Sequence, residues 1–307
     1  MRLATCLFAA AIALNSLASP VNEAGKPAAD DQIDAAEKAP LSPAAAAGHW
    51  NDPFVPFKII GNVYYVGTAH IGAFLVVTNA GHFLLDGALP QSAPQVRANI
   101  RALGFDIHDV KYILCSHAHF DHVGGVAALH RASGAKIISG ARDRDALESG
   151  RVDYGPSADA PFPAVRVDQV VNDGGTLTLG GATMTAHSTP GHTKGCTSWT
   201  VPVTGSDGAH HTVLFHCSPT VGGQSLVPEA FPGIINDFRT TFAKVRTLRA
   251  DVLLGSHAEF FDLVGKRARQ TAGDPNAFVD AVALQNLNTD MERQFNEELA
   301  RQRKPLI

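Results

Sequence analysis

Residues 115–122 read CSHAHFDH, so three histidines and an aspartate fall within six consecutive positions. Imidazole nitrogen and carboxylate oxygen are the donors that divalent zinc takes in catalytic sites. His117 and His119 alternate, so on an extended segment they point the same way. Asp121 and His122 open the following helix and converge from another side. One tetrahedral ion cannot take four ligands from so short a segment without strain, so two ions, each completed from elsewhere, is the better expectation.

Two further segments can complete them. Thr189-Pro190-Gly191-His192-Thr193 sets a histidine in a tight turn after a strand, and Gly255-Ser256-His257 sets another behind a short apolar run. An ion whose protein ligands leave one position open can bind water there, as catalysis requires. Such an ion brings the pKa of water down to about 7 and supplies a nucleophile at neutral pH.

These segments need strands to present them. The patterns predict short strands within 57–68, a hairpin over FLVVTNAGHFLLDGA turning at Asn79-Ala80-Gly81, and strands at 112–115, 136–138, 176–179, 182–188, 197–203, 212–216 and 252–254. Helices are predicted over 93–103, 122–132, 142–148, 233–249 and 278–302. Residues 150–165 form a long Gly/Pro-rich loop, a common place for function. All three histidine segments follow short apolar strands, so they can meet at one edge of a sheet, where α/β proteins gather ligands.

The chain has 307 residues, 45% of them hydrophobic, enough for one large core in stacked α/β layers. Net charge is −4 and no Lys/Arg block marks a nucleic-acid footprint. Met1-Arg2 followed by an apolar run to Leu14 and by Ser16-Leu17-Ala18 reads as a signal peptide, residues 1–18, cleaved near Ala18; an uncleaved anchor is the alternative. Residues 19–48 are rich in Ala, Pro, Asp and Glu and are expected as a flexible leader lying along the surface. The domain then runs over 49–307. Export makes disulfides possible, and Cys115, Cys196 and Cys217 leave one thiol unpaired.

The constellation resembles the metallo-β-lactamase superfamily. Its H-x-H-x-D-H signature is met by His117, His119, Asp121 and His122, its glycine-histidine turn by Gly191-His192, and its last histidine by His257; Asp86 in LLDG also fits. The fold that the resemblance implies is α/β, a four-layer αβ/βα sandwich. It also implies two Zn²⁺, one on His117, His119 and His192, the other on Asp121, His122 and His257, with a hydroxide between them. Many members add a bridging aspartate after the next strand, but that turn here reads Phe215-His216-Cys217-Ser218-Pro219-Thr220, with Ser218 at the aspartate position. Asp207 lies in the preceding hairpin and is a poor substitute.

Serine there, with a histidine at His257, matches class B β-lactamases of the third subclass. WNDPFVPFKIIGNVYYVG and HSTPGHTKGCTSW are also close to their patterns. The resemblance therefore implies opening of the β-lactam ring of penicillins, cephalosporins and carbapenems, an antibiotic-resistance activity in the periplasm or outside the cell. A lactonase or thioesterase like glyoxalase II is the alternative; a non-catalytic zinc-binding protein is a third reading. Asp121 would orient the attacking water, and Ser218 and Thr220 would meet the substrate carboxylate. Asp86 either ties down loop amides around the ligands or simply caps a turn. A Cys196–Cys217 disulfide resembles one in relatives and leaves Cys115 free; if the register slips by one, Cys217 is instead a ligand. The expected partner is a small-molecule β-lactam, with no nucleic acid, no membrane after cleavage, and a monomeric state.

Overall fold

The computed structural model describes residues 29–304. Two sheets carry the architecture. The first has seven strands in chain order: β1 (Phe57–Ile60), β2 (Val63–Tyr65), β3 (Phe74–Thr78), β4 (Gly81–Leu85), β5 (Val110–Leu114), β6 (Lys136–Gly140) and β7 (Gln169–Val171). The second has five, β8 (Thr176–Leu179), β9 (Ala182–Ser188), β10 (Thr197–Thr204), β11 (His210–His216) and β12 (Val252–Gly255), ordered β12-β11-β10-β9-β8. Strands β4 to β7 run parallel, and so do β11 and β12.

Strand period explains the layers. Successive side chains point to opposite faces, and in β3 and β4 both faces are apolar. Phe74, Val76, Phe83 and Leu85 enter a core shared with Trp199, Val201, Leu214 and Leu254 of the second sheet. Leu75 and Leu84 face the other way, onto Val96 and Ile100 of a helix at Ala93–Ala102 and Leu129 of a helix at Val126–Ser133. Helices at Ile234–Val245 and Ala283–Gln302 put Val245 and Leu284 into the core around the second sheet. The expected α/β sandwich of two sheets between helices is what forms.

Several local expectations need correction. The expected leader is not without structure in its described part: Ala29–Lys38 and Pro43–Ala47 are helices. Tertiary contact explains them. Ile33 is buried in the core, and Arg131 reaches Asp34 at 2.7 Å while Arg97 reaches Glu37 at 3.6 Å. Ser42 caps the second helix by accepting from the Ala45 N–H at 3.2 Å. The expected signal peptide, residues 1–18, lies outside the described residues. The single helix expected over 122–132 is two, Phe120–Val123 and Val126–Ser133, divided at Gly124-Gly125. The last helix begins at Ala283, five positions later than the pattern suggests. Strand β7 and a helix at Leu263–Thr271 were not anticipated.

The topology brings the chemistry together. Asp86 follows β4, the histidine cluster follows β5, Ser218 follows β11 and His257 follows β12, all at C-terminal ends of parallel strands. The meeting point lies between two sheets rather than on the edge of one. Backbone hydrogen bonds join the sheets there, Thr197 N–H to Ser116 O at 2.8 Å and Gly72 N–H to Ser256 O at 2.8 Å.

Candidate metal centre

Two three-residue groups of donors form side by side. The donor atoms of His117, His119 and His192 lie within 4.8 Å of one another, and so do those of Asp121, His122 and His257. In the first group the rings meet edge-on, with centroids 4.7 to 5.0 Å apart. In the second, His122 Nε2 is 3.1 Å from Asp121 Oδ2 and 3.2 Å from His257 Nε2, and the remaining edge is 3.4 Å. Donors on a tetrahedral ion with bonds of ~2.0 Å stand ~3.3 Å apart. That triangle therefore has the size of a zinc face. The His117 and His122 rings are 4.3 Å apart, so the two groups adjoin.

The donor set fits zinc on a second count. A buried His117 Nε2 has no hydrogen-bond partner, while its Nδ1 is 2.9 Å from Ser116 Oγ. His192 Nδ1 donates to the Thr220 carbonyl at 2.8 Å, which leaves Nε2 with its lone pair free. Metal-bound histidines are held in this way through their other nitrogen. His257 Nδ1 faces Glu259 at 3.8 Å.

Burial keeps the three-histidine group in ligand form, whereas in the second group the Asp121 carboxylate outweighs burial and raises His122. Burial lowers the pKa of His117 and His192 well below the ordinary histidine value, and brings His119 down to about 4. These rings are neutral. Burial alone would raise the Asp121 carboxyl, but His122 beside it and hydrogen bonds from His122 and His257 hold it well below the usual range.

Local backbone explains the approach angles. His119 ends the extended segment and precedes the helical turn Phe120–Val123, so Asp121 and His122 leave from a different direction than His117. Gly191 adopts φ +136°, and a Cβ on it would stand 2.8 Å from the Phe238 ring, so the His192 turn requires glycine.

Asp86 accepts from the Ser116 N–H at 2.7 Å. Of the two readings, tying down a loop amide is the contact found. Burial pushes its carboxyl up to about 6, partly offset by His122 and Ser116. Ser218 is buried, with its hydroxyl 3.1 Å from that of Thr220, which in turn lies 3.3 Å from His192 Nδ1. Cys196 and Cys217 form a disulfide, with Cα atoms 5.9 Å apart, and Cys115 is a buried free thiol. Tyr154 packs on Phe231 at 4.7 Å and accepts from the Lys194 N–H; Phe162 is also buried.

Three supports escaped sequence reasoning. Asp143, wholly buried, accepts from Ala118 N–H at 3.0 Å, Thr193 Oγ1 at 2.7 Å and Gly195 N–H at 2.7 Å. It therefore bolts the His117/His119 loop to the His192 turn. Gln224 donates to the His192 carbonyl at 2.7 Å. Trp50 lies 5.6 Å from His257 and 6.2 Å from Phe120, an apolar wall beside the second group. None has ligand-like spacing; only the contacts of Asp143 with Ala118, Thr193 and Gly195, visible in three dimensions, reveal the first. Asp143→Ala strips three buried donors of their acceptor. Metal affinity at the three-histidine group is expected to fall about 10- to 100-fold, as read by competition with a chromophoric chelator; unchanged affinity would refute this role.

His216 is buried with Nδ1 3.2 Å from Ser198 Oγ, which also contacts Thr189 and the Cys217 N–H. Burial holds its imidazole down at about 4, against about 6.5 in an unfolded chain. A depressed histidine gives stability that is complete above about pH 6.5 and is lost as pH falls through about 4. Urea unfolding over that window should show wild type losing about 3 kcal/mol more than His216→Gln. Parallel pH profiles would contradict it.

Comparison with known proteins gives a consistent picture. Residues 67–205 match the model of the metallo-beta-lactamase superfamily. The fold is similar to BJP-1, a subclass B3 metallo-β-lactamase of Bradyrhizobium japonicum: 42% identity, TM-score 0.78, covering 84% of this chain and 98% of that one. It is similar also to the FEZ-1 metallo-β-lactamase of Legionella gormanii, at 36% identity and TM-score 0.80, over 83% of this chain and 99% of that one. A metal-dependent hydrolase of Anaeromyxobacter sp. (strain K) is 35% identical over 116 residues. That match spans 37% of this chain and 37% of the relative, so the chain covers little more than a third of that curated protein.

Proposed function

The chain belongs to the metallo-β-lactamase superfamily, and from that premise we propose that it is a zinc-dependent hydrolase that opens the β-lactam ring of penicillins, cephalosporins and carbapenems. The observation that carries the reading is the pair of adjoining donor groups, one of three imidazoles and one of two imidazoles and a carboxylate. Support for the subclass comes from relatives described as B3 enzymes and from Ser218 in the turn after β11. Asp121 is the only carboxylate in these groups among the described residues, which leaves a bridging aspartate without a candidate.

His117, His119 and His192 would hold one zinc ion, and Asp121, His122 and His257 the other. When bound, zinc supplies Lewis acidity toward the lactam carbonyl and amide nitrogen, and water made nucleophilic near neutral pH. The chain's own residues do the rest. Asp121, held ionised, accepts a hydrogen bond from the attacking water and orients it. The Thr220 carbonyl fixes the His192 tautomer. Trp50 and Phe120 screen one side from solvent. Thr220, half-buried, offers a neutral donor to the substrate carboxylate, with the Ser218 hydroxyl behind it. Neutral donors hold a carboxylate less tightly than a charged one would, which suits a broad range of β-lactams.

The site of action is the periplasm or the medium, in keeping with the signal-like start and the disulfide. No helix among the described residues is long and apolar enough to cross a membrane. The substrate is a small molecule, and the working unit is one chain.

The deciding experiment offers purified protein a chromogenic cephalosporin, a penicillin and a carbapenem beside a lactone and a thioester. Turnover of all three β-lactams with little of the others is expected. Good lactone or thioester turnover without β-lactam hydrolysis would replace this reading with the glyoxalase-like one.

A further inference from the structure

A third donor group overlaps the first. A ring nitrogen of His117 and the sulfurs of Cys196 and Cys217 also lie within 4.8 Å of one another. All three residues are buried, and the Cys217 sulfur sits 3.5 Å from the carbonyl of Ser116, the neighbour of His117. Strand pairing brings them together: Cys196 enters β10, Cys217 leaves β11, and Trp199 pairs with Phe215 between them. Thr197 N–H donating to Ser116 O then clamps this pair of strands to the histidine loop. While the bridge stands, neither sulfur is a thiolate, and thiolate is the form that binds metal.

We propose that the Cys196–Cys217 bridge gates a second metal-binding mode, in which the reduced cysteines and His117 take a soft divalent ion as an S₂N set. Thiolate and imidazole together suit zinc and softer ions better than imidazole alone. The set draws on His117, so it competes with the three-histidine group; that competition rests on the functional reading above, whereas the sulfur ligation does not. The balance is simple. A dithiol reductant gives two electrons and two protons to the disulfide, becoming a cyclic disulfide and leaving two cysteine thiols. Metal binding then expels both thiol protons to solvent. The bridge is fully buried, so reductant reaches it poorly in the folded protein, and the thiol form is best obtained from chain made in a reducing cytosol.

The test takes full-length protein prepared in that way and kept anaerobic, with mass spectrometry confirming the two added hydrogens. Cobalt(II) or cadmium(II) is titrated in and the sulfur-to-metal charge-transfer absorption is read, with far-ultraviolet circular dichroism as the check on folding. The reduced protein should show the band, the oxidised protein should not, and Cys196→Ser, Cys217→Ser and His117→Ala should each weaken it in the reduced state. At one equivalent of cadmium, reduced protein should also lose several-fold more β-lactam turnover than oxidised protein, and recover it on reoxidation. Equal spectra for folded reduced and oxidised protein would overturn the proposal. Should the oxidised protein hydrolyse no β-lactam while the band still appears, the functional reading falls and the sulfur site stands.

Discussion

Asp121→Asn will keep the fold and lower kcat/KM for β-lactams about 1,000-fold, the scale of losing one preorganised electrostatic group from a catalytic site. The substitution preserves shape and removes charge. Asp121 is the one anion among six donors, held ionised by His122 and His257 against the cost of burial. Without it, the second group offers two neutral imidazoles to a divalent cation, and the attacking water loses its acceptor. Metal content should fall toward one ion per chain, since His117, His119 and His192 are untouched. The loss should appear in kcat as well as KM, because the carboxylate acts on the reacting water rather than on the substrate's side groups. Steady-state kinetics with metal analysis on the same sample provides the check. Near-normal kcat with two ions bound would remove Asp121 from its role.

Dialysis against a strong chelator should take β-lactam turnover to background, and zinc should restore it, with the fold retained throughout. The ligands sit on loops at strand ends, whereas the cores that hold the sheets and helices lie beneath them. Stability still falls, because an ion that binds only the native state stabilises it by mass action. At free zinc about 1,000 times its dissociation constant, the loss on removal is about 4 kcal/mol, or on the order of 10 °C in Tm for a domain this size. Differential scanning calorimetry with and without metal reads this directly. Full activity after exhaustive chelation would show that the donor groups do not carry the reaction.

What the sequence disclosed follows from what is local. Four donors within six residues can be read as a metal segment because spacing alone aims them, and His192 and His257 were found because each follows an apolar run with a glycine or serine turn. The strands of both sheets other than β7 came from alternation and apolar runs. Asp143 could not be found that way. Its meaning lies in contacts to Ala118 and to Thr193, about 25 and 50 positions away. The helix at Ala29–Lys38 was missed for a similar reason. Its composition promises little burial, and it stands on Ile33 and on ion pairs to Arg131 and Arg97, which belong to other helices. Strand β7 has only three residues and emerges from a Gly/Pro-rich region, so no period could announce it. The Cys196–Cys217 bridge was anticipated from likeness to relatives; its closeness to His117 was not, since it depends on how β10 meets the histidine loop.

The most direct measurement is X-ray diffraction at the zinc absorption edge from crystals of the oxidised, zinc-loaded protein. Two anomalous peaks are predicted, one among His117, His119 and His192 and one among Asp121, His122 and His257, close enough to share one oxygen. A single peak, or zinc bound away from these six side chains, would contradict the account.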